Sequence, residues 1–135
     1  MVEVVAAVIE YQNKLLAFQR GAAKHTYVAN KFEFPGGKVE RGEDLRAALT
    51  RELIEELDLQ AEVCDFITTV EHTYPDFSIK MHCFLVHVDD FAGTLREHIS
   101  YAHVTLSSAD NLDWIEADRP VLEILREDYA HVFEC

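Results

Sequence analysis

The sequence predicts an α/β fold in which two helices pack on opposite faces of a mixed sheet. Three observations carry this. The opening run, MVEVVAAVIE, is apolar and strand-length, and it is too short to span a bilayer. Asp44 to Leu57 holds no Gly or Pro and is rich in Leu, Ala, Arg and Glu, which predicts a helix. Ile79, Met81, Cys83 and Leu85 alternate with other residues at the two-residue period of a strand.

The remaining elements follow in order. Strands are predicted at 2–10 and 14–19, then a loop over 20–31 leading into FEFPGGKVE. After the helix at 44–57 come strands at 61–72 and 78–89, joined by a turn at Pro75-Asp76. A further strand is expected near 101–106. Ser107 with Asp110 predicts a short capped helix. Pro120 then opens a final helix carrying Val121, Leu122, Ile124 and Leu125.

At 135 residues the chain suits one domain, 1–135, with a core of its own. The N-terminal run lacks a basic flank, so it reads as a buried strand and not as a leader or anchor. Cys64, Cys83 and Cys135 are odd in number and lack CxxC spacing, which predicts free thiols and a cytoplasmic setting. The seven histidines show no HExxH or zinc-finger spacing; structural or surface roles are expected of them. A net charge of −13 argues against a nucleic-acid polymer as partner, because phosphate binding shows as a basic patch. A small phosphorylated substrate stays open if metal bridges the two negative partners.

The segment GGKVERGEDLRAALTRELIEELDL, from Gly36 to Leu59, is the most informative. Gly37 is followed by Glu43, then by Arg51-Glu52, and then by Glu55-Glu56. At about 100° per residue, Glu52 and Glu56 point almost the same way, with Glu55 about a quarter turn from both. Leu49, Leu53 and Leu57 form the adjoining apolar stripe. Like charges at these spacings each destabilise a helix by roughly 0.2–0.5 kcal/mol. Glu55 and Glu56 also lie in the last turns, where the helix dipole disfavours anions. A solvated acidic face is the ordinary meaning of such a run. These glutamates border the buried stripe, however, and that favours a divalent-metal site.

These residues resemble the Nudix box, G-x5-E-x7-R-E-U-x-E-E-x-G-U, where U is a bulky aliphatic. Gly37, Glu43, Arg51, Glu52, Leu53, Glu55, Glu56 and Leu59 match; the final glycine of the box is Asp58 here. Asp tolerates the left-handed helix cap better than most residues, so this departure touches the cap and hardly the chemistry. The fold implied is the Nudix α/β/α sandwich with a mixed central sheet.

Within the family, ANKFEFPGGKVE resembles MutT-type enzymes, while VEVVAAVIE, FAGTL and ADRPVLE look like bacterial CTP pyrophosphohydrolases. The resemblance implies cleavage of a (d)NTP to (d)NMP and pyrophosphate by water attack at the β-phosphorus, with Mg²⁺, or Mn²⁺ as substitute. Hard oxygen ligands suit that ion, which bridges carboxylates to substrate phosphates. The implied metal ligands are the Gly36 carbonyl, Glu52, Glu55 and Glu56. Arg51 would orient Glu52, the alternative being a helix-surface ion pair. Lys38 would contact phosphate, the alternative being a solvated loop charge. Glu43 would stabilise the loop–helix junction, the alternative being an acid at a helix N-terminus. MutT-type enzymes add a glutamate after the central strands. In GTLREHISYAH, Glu97 stands one or two places from that position, with His98 as the other candidate base.

Substrate choice falls outside the box. Arg20, Phe34 and Asp118 match positions that hold the nucleoside in MutT-like enzymes, although the loop after Arg20 is about two residues longer here. Phe34 would support the base, with core packing as the alternative. Asp118 stands where MutT has Asn. An ionised Asp only accepts hydrogen bonds, which suits the cytosine amino group and repels guanine O6 unless burial protonates it. The alternative is that Asp118 caps the final helix. The expected preference is for cytosine nucleotides, with 8-oxo-dGTP second. Hydrolysis of a nucleotide sugar and a non-catalytic nucleotide sensor are the remaining readings. Neither a monomer nor a homodimer is selected by the sequence.

Overall fold

The computed structural model describes residues 1–23 and 25–133. Cys135 lies outside them; Cys64 and Cys83 are free thiols, Cys83 buried. Strand β1 (Val2–Tyr11) runs along the middle of the sheet, paired in parallel with β6 (Ser78–Val88) and antiparallel with β2 (Lys14–Arg20). Beyond β6 lies β5 (Glu62–Thr73), and beyond β2 lies β7 (His98–Val104). Two short strands, β3 (Phe32–Glu33) and β4 (Gly36–Lys38), pair with β2 and β1 respectively. The sheet is therefore mixed. No helix among the described residues is long and apolar enough to cross a membrane.

The unbroken apolar run of β1 makes sense because both of its faces are covered. Val5, Ala7 and Ile9 join Leu49, Leu53 and Leu57 of α1 (Leu45–Leu57). Ala6 and Val8 face the other way, toward Val121, Leu122 and Leu125 of α2 (Arg119–Asp128). β6 repeats the division, with Phe84 and Val86 on the α1 side and Met81, Cys83 and Leu85 on the α2 side. A one-residue slip in either strand would exchange the two cores.

The ends of α1 are both closed by side chains. Asp44 caps the start, its carboxylate accepting from the Arg46 and Ala47 nitrogens at 3.1 and 3.2 Å. Asp58 ends the helix in the left-handed conformation, φ 51° and ψ 39°, with its N–H on the Ile54 carbonyl. Arg96, from the segment before β7, donates to the Ile54 carbonyl at 3.1 Å and lies 3.6 Å from the Asp58 carboxylate. The non-glycine cap is thus held from outside the helix.

Two sequence expectations are corrected. The strand expected near 101–106 is β7, which begins at His98 and ends at Val104. It starts earlier because Arg20 on β2 pairs with His98 across a register shift. Ser107 makes no cap to the short 3-10 helix Ser108–Asn111. Thr105 does so instead: its hydroxyl accepts from the Ser108 nitrogen at 3.1 Å, and the Ser108 hydroxyl accepts from the Thr105 nitrogen at 3.0 Å. Asp110 serves Arg126 of α2 at 2.8 Å.

Candidate active site

The Phe34-to-Lys38 segment folds over β1 at van der Waals limits. A Cβ at Gly36 would overlap the Val5 carbonyl, and one at Gly37 would lie 2.5 and 2.6 Å from the two Glu52 carboxyl oxygens. These glycines let the loop backbone rest on the carboxylate face of α1. Next to them opens a cavity of about 640 Å³.

Arg51 is the centre of the box. Its Nε and Nη2 donate to the two Glu43 oxygens, both at 2.8 Å. Its Nη1 donates to Glu52 at 2.9 Å and to Glu55 at 3.3 Å, and its Nη2 also reaches the Lys38 carbonyl at 3.1 Å. One planar fork thus fixes the loop, the helix start and the Glu52 carboxylate together. Arg51 hydrogen bonding holds Glu43 down at a pKa of about 2 and drives the Arg51 value up.

Glu56 has the opposite environment. Burial, then the charges of Glu52, Glu33 and Glu97, push its carboxyl up to about 8; the Gly36 backbone opposes this by donating to it. Its Oε2 is buried without a partner. Among the described residues, three buried side-chain atoms lack a hydrogen-bond partner: Glu56 Oε2, His98 Nδ1 and Asp118 Oδ1. All three residues line the same cavity. Buried polar groups are normally satisfied, so three orphans around one cavity mark a place built for a ligand.

The residues fit a divalent cation by the same observation. Glu56 is buried and meets repulsion from three carboxylates, Glu52, Glu33 and Glu97. Hard oxygen donors beside a backbone carbonyl at Gly36 are the donor set such an ion takes. Among the described residues no three such side chains already converge as a closed metal cage. Glu56, Glu97, Lys38 and Gly36 line the cavity; Glu52 lies under Gly37, and Glu55 is exposed on Arg51.

The same cavity is lined by Arg20, Phe34 and Asp118, along with residues that the sequence did not single out. Phe34 is buried in the α2-side core against Trp114, with ring centroids 4.9 Å apart. The core role expected as the alternative is therefore real, while one side still faces the cavity. Tyr74 and Phe77 form an aromatic wall with centroids 5.2 Å apart, and Tyr27 stacks on Tyr74.

Asp118 corrects one expectation. It begins α2 but makes no side-chain cap, because its carboxyl turns inward. Oδ2 accepts from the Phe34 nitrogen at 2.8 Å, and the residue is 1 % exposed. Burial first, then the Glu33 charge, raise its pKa well above the ordinary value, outweighing Phe34 and Arg20. Burial thus pushes the Asp118 carboxyl toward the protonated form, the exception that the sequence reading allowed. His98 is also corrected: it is buried, 8 % exposed, whereas a surface position is the usual one for such a residue.

A model of the NUDIX domain matches residues 1–133. The chain belongs to the NUDIX family. It is 42 % identical over 125 residues to CTP pyrophosphohydrolase of Escherichia coli, covering 91 % of this chain and 90 % of that protein. Over 84 residues it is 34 % identical to the Escherichia coli 8-oxo-dGTP diphosphatase, covering 62 % of this chain and 64 % of the other. The solution structure of the Escherichia coli ORF135 protein superposes with a TM-score of 0.79 at 36 % identity, over 97 % and 92 % of the two chains. The MutT protein of Methanosarcina mazei superposes at 0.83 and 24 % identity over 94 % of each chain, which speaks to the fold alone. The Nudix box is thus the Gly37-to-Leu59 segment, with Asp58 as its one departure.

Proposed function

We propose that this Nudix protein is a nucleoside triphosphate pyrophosphohydrolase that uses Mg²⁺, forms (d)NMP and pyrophosphate, and prefers cytosine nucleotides. The observation that carries this is the Glu52–Glu56 carboxylate face meeting Gly36-Gly37 beside a cavity that is also lined by Tyr74, Phe77, Arg20 and Asp118. The carboxylate face would take phosphates once their charge is offset, and the aromatic and polar lining would take a base. Phosphoryl transfer needs that neutralisation and positioning more than covalent help.

Glu52, Glu55, Glu56 and the Gly36 carbonyl would hold the ion, which supplies charge neutralisation to the phosphates and to the attacking water. Arg51 keeps Glu52 in place. Lys38, which lines the cavity, would meet a phosphate oxygen. Glu97 shares the cavity with Glu56 and is the residue assigned to take the proton from water.

The cytosine preference is supported by the likeness to the CTP enzyme over nine-tenths of both chains. The upward push that burial gives the Asp118 carboxyl favours a second reading, 8-oxo-dGTP, because a protonated carboxyl would donate to a guanine O6 that a carboxylate would repel. Pyrophosphate release from CTP, dCTP and 8-oxo-dGTP separates the two. A higher kcat/KM for CTP or dCTP supports the first; a higher value for 8-oxo-dGTP establishes the second. Binding without turnover of any nucleotide overturns both.

A further inference from the structure

Glu33 occupies the cavity wall between the box carboxylates and Asp118, and both of its oxygens are taken. Oε1 accepts from Arg20 Nη1 at 3.1 Å, and Oε2 lies 2.9 Å from His98 Nε2. The three residues come from three neighbouring strands, β2, β3 and β7. Their exposure falls along the chain of contacts, with side chains at 40 % for Arg20, 16 % for Glu33 and 3 % for His98. A long, half-exposed arginine is thus tied to a nearly buried carboxylate, which is tied to a buried ring.

We infer that His98 is a positioning residue for nucleotide binding, acting through Glu33 to hold Arg20 in the orientation that meets the substrate. This rests on the reading that Arg20 contacts the nucleotide. The chemistry runs one way. A carboxylate only accepts, so His98 Nε2 is the donor in this contact. Its Nδ1 is the buried nitrogen without a partner. The ring cannot swing away, because it packs on Phe18 with centroids 5.4 Å apart and is flanked by the β2–β7 pairing at Arg20. Glu33 held at both oxygens cannot rotate, and the Arg20 fork inherits that order. Ordering a free arginine would otherwise oppose binding each time a nucleotide enters.

The test is a double-mutant cycle on steady-state hydrolysis of CTP with Mg²⁺. His98→Leu is expected to raise KM about tenfold, the effect of losing one charge-assisted hydrogen bond, with kcat within about threefold. His98→Gln restores a donor toward Glu33 and is expected to recover most of the KM. In an Arg20→Ala background, His98→Leu is expected to change KM no further. Glu33→Gln, which keeps the side-chain shape, provides a second entrance to the same cycle if His98→Leu fails to fold. Additive effects of His98→Leu and Arg20→Ala would show His98 to be merely structural and overturn the inference. An unchanged KM in Arg20→Ala itself would overturn the substrate role of Arg20, and the relay with it; in that case the NTP panel decides separately whether the proposed reaction stands.

Discussion

Gly37 and Glu52 are in contact to a degree that leaves no room for a methyl group: a Cβ on the glycine would sit 2.5 and 2.6 Å from the two carboxyl oxygens. The neighbouring Gly36 is equally confined, but by the backbone of Val5. The consequences differ. Gly37→Ala displaces the movable end of a side chain, so the protein should fold with near-parent thermal stability and lose activity by about tenfold or more as Glu52 leaves its place. Gly36→Ala has to push β4 off β1 and should lose about 2–3 kcal/mol of stability. Urea denaturation and pyrophosphate release on both variants check the contrast.

Glu43 predicts a pH dependence. Its folded pKa, about 2, lies below the ordinary 4.5 because Arg51 donates to both oxygens. A depressed carboxylate stabilises the fold above its unfolded value, and that contribution fades as pH falls from about 4.5 through about 2. Glu43→Gln should therefore be less stable than the parent at pH 6, and the difference should shrink on acidification over that window. Equilibrium urea curves at stepped pH measure it.

Glu56 should show function bought at the expense of stability. Its buried carboxylate, raised to about 8, faces three other carboxylates. In metal-free buffer at pH 8, Glu56→Gln is predicted to be more stable than the parent, on the order of 1–2 kcal/mol, because the neutral amide removes the repulsion. The same variant should be nearly inactive with Mg²⁺. Thermal melts in chelator and assays in Mg²⁺ read the two halves.

Asp118 predicts a small effect where the sequence suggests a large one. If the buried carboxyl is neutral, Asn at the same position still accepts from the Phe34 nitrogen and still offers a donor. The ratio of kcat/KM for CTP over 8-oxo-dGTP should then move by less than about threefold in Asp118→Asn, against tenfold or more for loss of a carboxylate acceptor. Asp118→Ala leaves the Phe34 N–H unpaired and should lose both stability and turnover.

The helices, the two-faced central strands and the box were legible because each is local: period, cap residue and spacing lie within a few turns of chain. Asp58 at a left-handed cap was legible too, since only residue type and position matter there. What escaped the sequence depends on partners far along the chain. Glu33 gains its place from Arg20 and from His98, 65 residues away. Arg96 closes α1 from 42 residues beyond Ile54. Thr105 displaced Ser107 as cap because the turn begins two residues earlier. Asp118 was singled out by its residue type, but the upward push on its pKa comes from burial and from Glu33, which composition does not show. A single buried acid in a mixed sequence carries no mark of its future neighbours.

The Glu52 carboxylate, held by Arg51 under Gly37, is proposed to serve metal-dependent cleavage of a nucleoside triphosphate. Pyrophosphate release from CTP with Mg²⁺, compared between the parent and Glu52→Gln, tests that role. Turnover by the parent should be abolished by chelator, and the variant should fall on the order of 10²-fold or more with its fold intact by circular dichroism. Parent-level pyrophosphate release by Glu52→Gln would contradict it.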